Sequence, residues 1–257
     1  MRKVVDKSVL GQAWAVATCP GDKEGLCQAD NLVQRILMTR GITDMASMEK
    51  FLNPSIKEYM PNPSVLHDMD IAARLIADAV LSHKKIAIYG DYDVDGITST
   101  AIFVKYLRAL GCDVMWHLPT REGEGYGLNI AAVDDIARAG AQMMITVDCG
   151  ISGNSEVAHA RAIGMQVIIT DHHSPDSVLP DADAVINPKR TDDTSGLSYL
   201  AGVGVAFLTL VALRRELKSR PLAADMAQRV DDTNLMNFLD LVALGTICDT
   251  MPLVGLN

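Results

Sequence analysis

From residue 71 onward the chain alternates between two hydrophobic periods. "IAARLIADAVLS" (71–82) repeats apolar positions at helical spacing, and "KIAIYG" (85–90) is a short, continuously apolar run. The alternation continues through a helix over 97–110, strand "DVMWHLP" (113–119), helix "NIAAVDDIARAG" (129–140), strand "MMITVDCG" (143–150), helix "SEVAHARAIG" (155–164) and strand "QVIITDHH" (166–173). A short strand "DAVINP" (183–188), a disordered-looking polar segment "KRTDDTSG" (189–196) and helical stretches at 200–218 and 233–248 follow. Strands that are apolar at successive positions must be covered on both faces, which crossover helices on a parallel sheet provide. The expected fold is α/β, a mainly parallel sheet with helices on both faces.

The N-terminal part reads differently. "NLVQRILMTRGITDMASMEKFL" (31–52) predicts two short helices broken at Gly41, and "NPSIKEYMPNPSVLHDMD" (53–70) is a proline-rich connection. Residues 1–70 are therefore expected to form a small helical lead-in, and 71–257 the main domain. There is no internal repeat, P-loop or G-x-G-x-x-G, so no nucleotide cradle is signalled.

Composition narrows the class. With 257 residues, 49% of them hydrophobic, the chain can bury a sizeable core. Its longest uncharged stretch, "TSGLSYLAGVGVAFLTLVAL", begins polar and leaves about fourteen apolar residues, against the ~20 that span a bilayer, so no membrane segment is expected. At the N-terminus Asp6 and Lys7 follow the first basic residues and Gln12 interrupts the apolar run, which argues against a signal peptide. The cysteines Cys19, Cys27, Cys112, Cys149 and Cys248 are odd in number and form no C-x-x-C pair. That pattern fits neither a disulfide framework nor a structural zinc site, and matches a reducing cytoplasm. A net charge of −9 counts against nucleic acid as a partner, unless many of the acids hold metal. "NPKR" (187–190) and "RRELKSR" (214–220) are the local basic runs, each readable as a solvated face or as a phosphate contact.

"YGDYDVDG" (89–96) sets Asp91, Asp93 and Asp95 at every second position after a strand-like run. D-x-D-x-D-G opens an EF-hand loop, but loop position twelve is Ile102 where a bidentate Glu is needed, and a strand precedes where a helix should. Two further strands end in metal-ligand residues: "MMITV" in Asp148, and "VIIT" in Asp171, His172 and His173. A lone Asp after a strand usually serves a turn or a helix cap. Ligands at three successive strand ends are another matter, because parallel neighbours bring those ends to one rim, where ligands sit in open α/β sheets. Carboxylates with imidazole and no thiolate suit Mn²⁺ or Mg²⁺, and so many acids call for two divalent ions. Such a pair activates water against phosphorus, while one of the adjacent histidines can ligate and the other assist at phosphate.

"DYDVDG", "VDCG", "DHH" and "ALGTICDTMPL" stand in the order of the four motifs of the DHH phosphoesterase superfamily, which the chain resembles. "REGEGYGLN", "INPKR" and "LAGVGVAF" between them, and "ILMTRGI", "FLNPS" and "LHDMDIAARLI" ahead of them, are similar to its bacterial single-strand-specific exonucleases. The resemblance thus runs from about residue 31 to the end. It implies a Rossmann-like metal-binding domain that uses two Mn²⁺, or alternatively Mg²⁺, to degrade single-stranded DNA from 5′ to 3′ into mononucleotides. DNA repair and recombination would be its setting and repair proteins its further partners.

Residue by residue, the resemblance makes Asp93 and Asp95 metal ligands, with Asp91 an additional carboxylate. Asp148 becomes the bridging, catalytic ligand, His172 the ligating histidine, His173 the catalytic histidine at phosphate, and Asp249 the final carboxylate. Asp249 by itself reads as a helix terminus. Arg121, Arg190, Gly202 and Gly204 become substrate-binding candidates, although both glycines also read as close helix packing. Family members continue into a second, glycine- and histidine-rich substrate-binding domain whose motif is not found here, so that domain is expected to lie outside this chain. Two other readings stand beside the exonuclease: a hydrolase of short oligonucleotides, cyclic dinucleotides or other small phosphoesters, and a non-catalytic replication scaffold.

Overall fold

The computed structural model of the protein describes residues 4–5, 9–15, 32–120, 123 and 125–257. The chain divides into two compact units, Met1–Met60 and Pro61–Asn257. In the first, β1 (Val4–Val5) pairs antiparallel with β2 (Trp14–Ala15). Helices α1 (Leu32–Thr39), α2 (Met45–Leu52) and α3 (Ile56–Tyr59) follow. The break between α1 and α2 falls where the sequence set it: Gly41 takes φ 85° and Asp44 caps α2 by accepting from the Ser47 amide at 2.8 Å.

The second unit opens at Pro61, earlier than the boundary at residue 70 read from the sequence. A 3₁₀ turn at Pro63–Val65 and the buried Leu66 precede α4 (Met69–Leu81), and Asp68 Oδ2 accepts from the Val185 amide at 3.1 Å. The proline-rich connection is therefore partly built into the main unit.

The sheet of this unit contains β3 (Ile86–Gly90), β4 (Val114–His117), β5 (Met143–Val147), β6 (Gln166–Thr170) and β7 (Ala184–Ile186), all parallel in the order β4-β3-β5-β6-β7. Every residue of β3 and β5 is buried, as continuously apolar strands require. Ala87, Tyr89, Met144, Val167, Ile169 and Val185 pack on one face with Val133, Ile136 and Val157 of α6 (Ile130–Arg138) and α7 (Asn154–Ala162). The other face is covered by α4, α5 (Val94–Ala109) and α8 (Gly202–Lys218), with α10 (Leu239–Cys248) lying against α5 and α8.

Three local differences from the sequence reading matter. Helix α5 starts at Val94 rather than 97, because Asp93 caps it by accepting from the Gly96 amide at 2.9 Å. Helix α9 (Ala224–Asp232) occupies a stretch not assigned from sequence, and the final helical stretch is a 3₁₀ turn, Leu235–Phe238, followed by α10. Residues 189–196 are ordered by Arg190 and by Asp193, whose Oδ1 accepts from the Ser195 amide at 2.9 Å. Their polar composition reflects internal pairing rather than disorder.

Candidate metal centre

In this sheet the chain steps from β3 outward to β4, then back across β3 to β5, so the strand order reverses between β3 and β5. A crevice opens beyond the carboxyl ends of strands at such a point. Gly90 pairs with Val147, and Val147 with Thr170, so the next residues Asp91, Asp148 and Asp171 emerge side by side at that crevice. Asp93 follows as the N-cap of α5 and Asp95 on its first turn, and Asp249 arrives from the C-terminal end of α10. Three sets of ligand atoms result, each within 4.8 Å of one another: Asp91, Asp93 and Asp148; Asp148, His172 and His173; and Asp95, His172 and Asp249. Asp148 and His172 each belong to two of them, so the sets form one centre.

The carboxylates differ in what already holds them. Asp95 Oδ2 accepts from the Gly202 amide at 2.7 Å and Oδ1 from Val203 at 2.8 Å, which caps α8 from another helix because Ala201 offers no side-chain cap. Burial nevertheless raises the Asp95 carboxyl from 3.8 to about 6. Asp91 Oδ1 accepts from Tyr92 at 2.7 Å, and burial raises its pKa as well. Asp148, in the left-handed region at φ 61°, is buried, and neither oxygen has a hydrogen-bond partner among the described residues. Burial first, then the charges of Asp95, Asp93, Asp171 and Asp249, push its carboxyl far above the usual range.

The two histidines are oriented in opposite ways. His172 Nδ1 donates to the Leu200 carbonyl at 3.0 Å, which leaves Nε2 as a bare lone pair. That atom is buried without a partner and faces Asp148 Oδ1 at 3.2 Å, Asp249 Oδ2 at 3.5 Å and Asp95 Oδ2 at 3.7 Å. His173 is half-exposed and is held through Nδ1, which donates to Asp171 Oδ1 at 2.8 Å. Asp171 also accepts from the amides of His172, His173 and Ile151 at 2.7, 3.0 and 2.9 Å. Burial pushes its pKa up, but these bonds and the His173 charge outweigh it and keep the carboxyl low. The bond to Asp171, helped by its charge, raises the His173 pKa.

A buried imidazole lone pair among carboxylate oxygens is repulsive unless a cation stands between them. The orphaned oxygens of Asp148, the orphaned Nε2 of His172 and the all O and N donor set fit hard to intermediate divalent ions such as Mn²⁺ or Mg²⁺.

The remaining sequence candidates separate. Gly202 belongs at the centre: a Cβ there would lie 2.7 Å from Asp148 Cβ, so only glycine lets the start of α8 approach the acids. A Cβ on Gly204 would instead meet Leu200 Cδ2 at 3.3 Å, a packing contact away from the acids. Arg190 does not reach the centre. Its guanidinium is buried and gives Nη1 to Asp68 Oδ2 and the Val185 carbonyl, and Nε and Nη2 to Asp192, so its donors are committed within the fold. Arg121 lies outside the described residues. Sequence reasoning passed over Asp171 as an anchor and the Leu200 carbonyl as the group that fixes His172. The first was visible only as one more acid in "DHH", and the second is a backbone atom with no sequence signal. Tyr126, exposed and edge-on to the His173 ring at 5.6 Å, was also missed.

Comparison with known proteins identifies relatives of the chain. Residues 85–246 match the model of the DHH family, N-terminal domain. The chain is 41% identical over 223 residues to the single-stranded-DNA-specific exonuclease RecJ of Salmonella typhimurium, covering 86% of this chain and 37% of that protein. It is also similar to the crystal structure of an exonuclease RecJ bound to manganese, with TM-score 0.63, 38% identity, and 75% of this chain and 46% of that one covered. RecJ of Thermus thermophilus in complex with Mn²⁺ matches with TM-score 0.65 and 32% identity over 86% of this chain and 28% of that one. The chain thus spans between about a quarter and little more than a third of the length of the curated relatives it matches.

Proposed function

The chain belongs to the DHH family, and from that premise we propose that it is the metal-binding part of a phosphodiesterase that degrades single-stranded DNA. The observation that carries this reading is the His172 lone pair, fixed by Leu200 and aimed at the unpartnered oxygens of Asp148. Asp91, Asp93, Asp95, Asp148, His172 and Asp249 would hold two divalent ions, Mn²⁺ or Mg²⁺. When bound, those ions supply Lewis acidity toward water and toward a phosphoryl group.

The protein's own groups do the rest. Asp171 locks His173 with Nδ1 turned inward, which leaves Nε2 to donate a hydrogen bond or proton to a phosphate oxygen. The edge of Tyr126 limits the tilt of that ring. The bonds from Gly202 and Val203 keep Asp95 in place, and Asp91 is kept turned by Tyr92. Hydrolysis from the 5′ end to mononucleotides, in repair or recombination and beside repair proteins, is the physiological form of this chemistry. A cytoplasmic setting is supported by the free thiols of Cys112, Cys149 and Cys248, and no helix among the described residues is long and apolar enough to cross a membrane.

The test is Mn²⁺-dependent hydrolysis of 5′-labelled single-stranded DNA beside a duplex control, by the chain and by its Asp148→Ala variant. Nucleotide release from the single strand alone, lost in the variant, is expected. Turnover of dinucleotides with none of DNA would transfer the assignment to small phosphoesters, and failure to bind Mn²⁺ would leave the scaffold reading.

A further inference from the structure

The basic pair in "INPKR" faces two ways. Strand β7 ends at Ile186, and the chain turns at once: the Arg190 amide donates to the Asn187 carbonyl at 3.2 Å and the Lys189 amide to Asn187 Oδ1 at 2.8 Å. Asn187 is fully buried, and its Nδ2 donates to the His173 carbonyl at 2.9 Å. One side chain therefore ties the turn carrying Lys189 to the loop carrying the two histidines. On the far side Arg190 is anchored to Asp68, Asp192 and Val185, so the turn is pinned at both ends. Lys189, half-buried between these anchors, has no ion pair among the described residues.

We propose that Lys189, not Arg190, is the cation of this segment that holds a substrate phosphate beside His173. The inference rests on the phosphodiesterase reading and deepens it. An unpaired cation on a rigid turn beside a cluster of acids offsets the repulsion those acids exert on an incoming phosphate diester. A lysine is suited to that as a point charge on a flexible stem. It is a positioning residue: it would bind substrate and transition state alike, and its loss should raise KM more than it lowers kcat.

The experiment uses the full chain, an oligothymidylate as probe, and the variants Lys189→Gln, Lys189→Arg and Lys105→Gln, the last an exposed lysine on α5. Oligothymidylate affinity is measured against salt, with Mn²⁺ affinity and the thermal midpoint of each variant alongside. Lys189→Gln should bind roughly tenfold more weakly, and its salt slope should be shallower by about 0.7, the increment that one neutralised phosphate of a single strand supplies. Its Mn²⁺ affinity and midpoint should stay within error, Lys189→Arg should restore most of the binding, and Lys105→Gln should match the parent. In turnover, KM should rise about tenfold while kcat changes less than about twofold. Unchanged affinity and slope in Lys189→Gln overturn the proposal, as does a parent that binds no oligothymidylate. A parent that binds the probe, with the expected weakening in Lys189→Gln, but releases no nucleotide upholds the role of Lys189 while removing the hydrolase reading.

Discussion

His172 Nε2 lies 3.2 Å from Asp148 Oδ1, and with Asp148 ionised neither atom has a hydrogen for the other. The Leu200 carbonyl holds the imidazole proton on Nδ1, and burial of the ring lowers the pKa of His172, so protonating Nε2 is disfavoured. Burial of Asp148 with no donor to either oxygen is the matching half of the same arrangement. The fold therefore holds side by side two acceptor groups that a divalent ion would join, and several stability effects follow from that tension.

Asp148→Asn should stabilise the metal-free chain. Asparagine keeps the side-chain shape and tolerates the left-handed backbone at φ 61°, while removing a carboxyl whose ionisation burial and the neighbouring acids oppose. A gain of about 1–2 kcal/mol is expected in chelator, within the range for an unpaired buried polar group. With Mn²⁺ present the order should reverse, because only the parent gains from binding, by about 2.7 kcal/mol at a hundredfold excess over Kd. Urea midpoints of both chains with and without Mn²⁺ measure this. A parent whose midpoint ignores Mn²⁺ would remove the metal-centre assignment.

The metal-free chain should also lose stability at Asp95 as pH rises. The Asp95 carboxyl is raised from 3.8 to about 6 in the fold, so between those values the unfolded chain has released a proton that the folded chain keeps. Stability from this group is present below 3.8 and is lost as pH climbs toward 6, on the order of 1–3 kcal/mol. His172 and His173 shift in opposite directions and offset one another in part, so the readout is the difference between the parent and Asp95→Asn. That difference should change between pH 4 and 6 in chelator and flatten with Mn²⁺. A constant difference in chelator contradicts the burial argument.

How much of this was legible in the chain depends on which atoms carry it. The strands showed in the sequence because β3, β5 and β6 are apolar at nearly every position, and Asp91, Asp148 and Asp171 showed because they interrupt those runs. The strand order, which sets Asp91 beside Asp148, was not visible, since it depends on a crossover rather than on local pattern. Asp249 follows an α10 that is mostly apolar with no one-sided pattern, so nothing in its neighbourhood distinguishes a ligand from a helix end, and only family resemblance nominated it. Lys189 and Arg190 are adjacent and alike in charge. What separates them is Asp192 nearby and Asp68, 122 residues from Arg190, and no local reading reaches the second.

Gly202→Ala should damage the centre where Gly204→Ala does not. A methyl at 202 overlaps Asp148 and would push the start of α8 off Asp95, whose oxygens hold the Gly202 and Val203 amides. Mn²⁺ affinity should fall by at least about tenfold, as for groups that orient ligands, with stability reduced by roughly 1–3 kcal/mol from overpacking. At 204 the new methyl meets only the Leu200 side chain, most closely its flexible Cδ2 end, so affinity should hold within about twofold. Equal effects at the two positions, read by Mn²⁺ titration, would mean that helix propensity rather than this close approach decides.

Asp171→Asn isolates the anchor from the ligands. Asp171 Oδ1 accepts from His172, from the His173 amide and from His173 Nδ1, while Oδ2 accepts from Ile151. Whichever way an asparagine amide turns, its NH₂ faces an N–H donor. If it meets Ile151, one buried backbone donor is stranded; if it meets the histidines, two amides and a ring nitrogen are. The first arrangement costs less, about 1–3 kcal/mol for one stranded donor, and should be the one adopted. His173 then keeps its bond but loses the anionic partner that raises its pKa, so the pKa should fall toward the ordinary value. The parent is expected to show a His173 ring resonance titrating above the ordinary histidine range in metal-free protein, and the variant one that titrates lower, with the histidine spectrum otherwise intact. A His173 resonance titrating at the same pH in both chains would show that the Asp171 charge does not govern it, and that its orientation comes from Tyr126 and the backbone alone.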